Sequence, residues 1–72
     1  MLSLKKIKSL SELYQLAETD PKYLQLLLIS AANLGRSCTT LQQARQWLDT
    51  NALETNERGI VDEINFCRDM VE

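Results

Sequence analysis

The residues of this chain with any capacity for chemistry are two cysteines, Cys38 and Cys67, and the carboxylates Glu54, Glu57, Asp62, Glu63, Asp69 and Glu72 near its C-terminal end. A cysteine nucleophile needs an activating base, and the 72 residues include no histidine. Paired carboxylates can act as acid and base only where a cleft holds them at a set separation. Here they are spaced as the solvated side of a helix, and so short a chain can hardly build a cleft. They do not follow the calcium-loop pattern either. The cysteines lack the paired spacing of a metal site. They read as small, mostly buried hydrophobes in a reducing compartment, with a single bridge between them left open. Gly35 and Gly59 stand apart, so no phosphate-cradling loop exists. The expectation is a protein that is not an enzyme, with no cofactor, metal or small-molecule substrate.

Something must nevertheless hold these residues in place. Hydrophobic residues make up 44% of the chain and charged residues 25%, ordinary values for a folded domain. At this length one domain is expected, spanning 1–72, and it buries only about 60% of the surface its unfolded chain exposes. Such a thin core commonly calls for a staple or a partner subunit. The net charge of −2 is unevenly spread: residues 1–48 carry six basic and three acidic side chains, residues 49–72 two basic and seven acidic ones. That asymmetry marks either two faces with different partners or two solvated ends. The lysine-bearing start, Lys5, Lys6 and Lys8, is not followed by the apolar run of a signal peptide. The longest apolar stretch, Leu24 to Leu34, is too short to span a bilayer, so cytoplasmic residence is expected.

Helix punctuation is clear. Ser9 with Glu12 forms a capping box, and Leu10, Leu13, Tyr14, Leu16 and Ala17 line one side of a helix running to about Thr19. Residues 1–8 either extend this helix or form a flexible basic arm. Asp20-Pro21 caps and opens a second helix that Gly35 closes in the left-handed conformation glycine favours. Apolar nearly all round, with Lys22, Gln25 and Asn33 as a narrow polar wedge, this helix must be surrounded. Thr40 with Gln43 opens a third helix to roughly Thr50, with Asn51 able to close it. A fourth begins near Thr55 or Asn56 and runs toward Val71. Ile60, Ile64, Cys67 and Val71 form its inner stripe, and Arg58, Asp62, Asn65 and Asp69 its solvated one. The fold expected is all-α, a compact bundle of four short helices with the second at its centre.

One segment carries a motif. Residues 31–44, with Ala31, then Gly35, then Leu41, resemble the helix-turn-helix of phage repressors and Cro proteins. The resemblance implies a dimeric DNA-binding regulator whose second motif helix presents Thr39, Gln42, Gln43 and Gln46 to the major groove. Glutamine can pair with adenine there through two hydrogen bonds. Against this reading, Arg36 stands where that family places an apolar residue, the helix opened by Asp20-Pro21 is longer than the motif's first helix, and the acidic chain lacks a basic footprint.

The stronger feature is surplus apolar surface. Phe66 and Met70 fall outside the inner stripe of the fourth helix, with Glu63 and Asp69 beside them as a charged rim. These four residues are the candidate protein-binding site, for a partner protein or a second copy of the chain. The primary expectation is a non-catalytic regulatory or accessory protein acting through helix surfaces; the DNA-binding regulator is the alternative.

Overall fold

The computed structural model describes residues 4–54 and 56–71, and within them the chain folds as four helices, α1 (Leu10–Thr19), α2 (Pro21–Leu34), α3 (Leu41–Glu54) and α4 (Glu57–Val71). Thr55, Glu72 and residues 1–3 of the basic segment lie outside the described residues. The helices end where the local chemistry requires. Ser9 Oγ accepts from Glu12 N at 3.2 Å, and the Glu12 carboxylate reaches back to the Lys8 N–H at 2.9 Å. Asp20 both receives the end of α1, through its N–H to Leu16 O at 2.9 Å, and caps α2 by accepting from Lys22 N at 3.0 Å. Gly35 takes φ +126°, which places its N–H on Ala32 O at 3.1 Å and the Arg36 N–H on Ala31 O at 2.9 Å. This pair of bonds satisfies two of the carbonyls a helix end leaves open. Asn56 Oδ1 caps α4 by accepting from Arg58 N at 2.9 Å.

Helix α2 is the centre of the bundle and packs against α1, α3 and α4. Its Leu26, Leu27 and Ala31 meet Leu13 of α1, Ala44 and Leu48 of α3 and Ile64 of α4 in one core, all essentially shielded from solvent. Ser30 is buried on the same helix, and its hydroxyl donates to Leu26 O at 2.8 Å, so no polar group is left unpaired there. The mostly apolar circumference of α2 is thus explained by three neighbours rather than one.

Two local expectations need correction, and one alternative left open by the sequence is decided for residues 4–8. Helix α3 does not stop near Thr50: it continues to Glu54, and Asn51, far from closing it, donates from Nδ2 to Trp47 O at 2.8 Å inside the helix. Asn65 does not belong to the solvated stripe of α4; it is half-buried and grips the backbone of Ile7. Residues 4–8 do not extend α1. They run in non-helical conformation across the bundle with Leu4 and Ile7 in the core.

Candidate functional site

Two faces carry the residues singled out by the sequence, and the bundle keeps them on different helices. On α4 the inner stripe of Ile60, Val61, Ile64 and Cys67 is buried and Val71 half-buried, which turns the other side of the helix outward. Phe66 and Met70 stand there with 58% and 69% of their surface exposed. Four residues apart on a helix, they are neighbours on one face. Asp69 is exposed and holds Arg68 at 2.8 Å. Glu63 is half-buried instead of lying fully at the rim, with its Oε2 3.9 Å from the Cys67 thiol. The described part of this helix carries Glu57, Asp62, Glu63 and Asp69 against Arg58 and Arg68, and Arg68 turns one nitrogen inward to Leu4 O at 3.0 Å. The outward field of α4 is therefore acidic. Gly59 adds no bulk to this helix, and a Cβ at that position would meet only open space.

The outer surface of α3 is built differently. Thr39, Gln42, Gln43 and Gln46 are all exposed, as the sequence implied. Yet Gln43 is already engaged: its Oε1 accepts from Thr39 N at 3.0 Å and Thr39 Oγ1 at 3.1 Å, while its own N–H donates to Thr40 Oγ1 at 3.2 Å. Gln42 and Gln46 line a shallow groove of about 580 Å³ together with Thr40, Leu41, Arg45 and Asp49. Arg45 lies 5.2 Å from the centre of the Tyr14 ring and 3.9 Å from the Asp49 carboxylate. Tyr14 in turn donates to Asp49 Oδ1 at 2.8 Å. Burial, and then the hydrogen bond to Asp49, push the Tyr14 phenol above its ordinary range, so it stays a neutral donor clamping α1 to α3. A second shallow groove, of about 250 Å³, lies between Arg36, Gln43, Gln46, Trp47 and Thr50.

The connection from α2 to α3 spans the six residues between Leu34 and Leu41. Helix-turn-helix motifs use about three or four. Ala31, the first residue of the resemblance, is fully buried; Gly35 makes the turn, and Leu41 is half-buried at the first turn of α3. The resemblance therefore holds for the corner and not for the length of the turn.

The cysteines are both free, Cys38 half-buried and Cys67 buried with its sulfur 3.0 Å from Asn33 Nδ2. Among the described residues no group of three or more His, Cys, Asp or Glu could hold a metal ion, and no helix is long and apolar enough to cross a membrane.

Two features carry no local signal in the sequence. Leu53, 89% exposed, stands on the last turn of α3 that was not anticipated. The other is the set of backbone-gripping side chains Tyr23, Asn65 and Arg68, each of which meets a partner far away along the chain. Fold and faces together define a small all-α bundle of four helices. Compared with known proteins, the chain matches no family model, no curated protein and no solved structure.

Proposed function

We propose that the chain is a non-catalytic regulatory or accessory protein that binds another protein through the outer face of α4, with Phe66 and Met70 as anchors. One observation carries this reading. Among the described residues three large apolar side chains stand exposed, and two of them are neighbours on this one helical face. Leaving each in water forgoes about 1.5–3 kcal/mol that a partner surface would recover. Phe and Met also belong to the residue types enriched at interface centres. The occupant is a basic amphipathic helix: the acidic side chains Asp62, Glu63 and Asp69 around the two anchors attract lysine or arginine, and a helix is the shape that lays an apolar stripe along another. A second copy meeting this face with its own α4 would oppose acid to acid. The test is titration of a lysine- and leucine-rich helical peptide against the labelled chain. Binding should weaken about tenfold or more in Phe66→Ala, and it should weaken with salt. Equal affinity for wild type and Phe66→Ala would remove this reading.

A second reading, DNA binding through α3, has one observation in its favour: the side chains of Gln42 and Gln46 are exposed and line an open groove, without the bonds that engage Gln43. Its cations near that helix are Arg36 and Arg45, the latter shared with Asp49. So few charges predict weak binding with a shallow salt dependence.

A further inference from the structure

Residues 4–8 form no helix, yet Leu4 and Ile7 are 4% and 1% exposed, as deeply placed as the core of the helices. Side chains, not a neighbouring strand, read their backbone. Ile7 N donates to Asn65 Oδ1 at 2.9 Å and Asn65 Nδ2 donates to Ile7 O at 2.9 Å, so one amide closes a two-bond ring on one residue. Lys5 N donates to the Tyr23 hydroxyl at 3.0 Å, and Arg68 Nη1 donates to Leu4 O at 3.0 Å. These are the features of a groove that recognises an extended peptide: main-chain bonds for affinity, apolar sites three residues apart for sequence preference. Lys5, Lys6 and Lys8 remain exposed between and beside the buried positions.

The covalent link contributes little to this fit. Lys5 and Lys8 contact Glu12, while the bonds of Lys5, Ile7 and Leu4 to Tyr23, Asn65 and Arg68 reach 18, 58 and 64 positions along the chain. The arm joins α1 at Ser9, whose backbone is extended at φ −153° and ψ 160°, so it leaves the helix without a turn. A rotation about Lys8 and Ser9 would free it whole. We propose that the groove between Tyr23 of α2 and Asn65 and Arg68 of α4 is a docking site for an extended segment supplied in trans, and that its occupant is the arm of a second copy. Two chains pair by exchanging residues 4–8. Every bond made within one chain is remade between two, which is why exchange of an identical element is a low-cost route to a dimer. The tethered arm competes at an effective concentration on the order of millimolar, so exchange grows as the protein approaches that range. This surface adjoins the face of Phe66 and Met70 at Arg68, which bonds both Leu4 O and Asp69, but its lining does not include the two anchors and neither reading depends on the other.

Two measurements test it. The first uses the full chain carrying Leu4→Ser and Ile7→Ser, melted by circular dichroism with and without a free peptide of residues 1–9. At a peptide concentration about 100 times its Kd, the folded-to-unfolded ratio should rise about 100-fold, and a peptide with Ile7→Ser should do nothing. A variant that is unfolded by itself should regain helicity with the peptide. No gain at millimolar peptide overturns the proposal in either case. The second is light scattering of the wild type up to millimolar concentration. A dimer lost in Asn65→Ala and kept in Phe66→Asp supports arm exchange; the reverse pattern assigns association to the α4 apolar face and overturns it. A wild type that stays monomeric also overturns it, even where the peptide binds. Should Asn65→Ala fail to fold, the peptide measurement decides.

Discussion

The outer faces of α3 and α4 have opposite relationships to the rest of the chain. On α3, outward side chains are largely occupied with one another or with a neighbour: Thr39, Thr40 and Gln43 close a cap, and Arg45, Asp49 and Tyr14 tie the helix to α1. On α4, Phe66 and Met70 project into solvent without a comparable role, on a helix whose other side is already filled by Ile60, Ile64 and Cys67. A polar face that is satisfied internally explains itself as a soluble surface. An apolar pair placed away from the core is the feature on which the proposed partner contact rests.

The comparison breaks first, and most visibly, at neighbouring positions on α4. Ile64 is 0% exposed, so Ile64→Asp buries an unpaired carboxylate in the centre of the bundle. It should destabilise the chain by about 4 kcal/mol or more and abolish the helical circular-dichroism signal. Phe66→Asp, two residues on, should leave that signal and the melting temperature nearly unchanged. If both variants unfold alike, the ring of Phe66 is core and the contrast between the faces collapses.

Next in size is the corner that sets α3 against α2. Gly35→Val forces a β-branched residue into φ +126°, and should cost about 2 kcal/mol even though a Cβ there meets nothing. Asp20→Ala removes the acceptor for Lys22 N and should cost about 1 kcal/mol. Chemical denaturation of the two variants beside wild type ranks them.

These caps were legible because each signal lies within a few residues of the structure it makes. Ser9 meets Glu12, Asp20 meets Lys22, and Gly35 closes on Ala31 and Ala32. The exposure of Phe66 and Met70 was legible for the same reason, as helical periodicity alone placed them away from the inner stripe. The end of α3 was not, because Asn51 suits a helix end by type and nothing local says that its side chain will instead bond Trp47 O within the helix. Nor was the arm. Asn65 has the polarity and spacing of a solvated residue, and its partner Ile7 lies 58 positions away. Such a contact exists only once α2 and α4 have packed.

A subtler test addresses the clamp beneath the α3 face. Tyr14→Phe deletes the hydrogen bond to Asp49 and should cost about 1 kcal/mol near neutral pH. The phenol is held above its ordinary value of 10.0 in the folded chain. A raised folded pKa means that the neutral form is favoured by folding. Its contribution is complete below the unfolded value and is lost as pH rises from there toward the folded one. Wild type should therefore shed part of its stability above about pH 10, and Tyr14→Phe should lack that component. Thermal melts of both proteins at pH 8 and pH 10.5 measure the difference directly.

The smallest expected effect is the one that sharpens the comparison most. Gln42→Ala and Gln46→Ala remove exposed side chains of α3 and leave the Gln46 carbonyl, which accepts from Thr50 Oγ1 at 2.9 Å, in place; alanine is also the better helix former. Stability should stay within about 0.5 kcal/mol of wild type. Binding of the lysine-rich helical peptide should be untouched too, because these side chains lie on α3 and the anchors on α4. Duplex DNA supplies the discriminating measurement. If the α3 face is only a solvated surface, wild type and both variants should bind DNA equally weakly, with no preference among sequences at low salt. A sequence preference in wild type that vanishes in Gln42→Ala would instead make α3 a reading helix, since loss of a two-bond contact to a base costs about 1–3 kcal/mol at that base alone. The silent face would then be the functional one, and the exposed pair on α4 would no longer mark the principal binding surface.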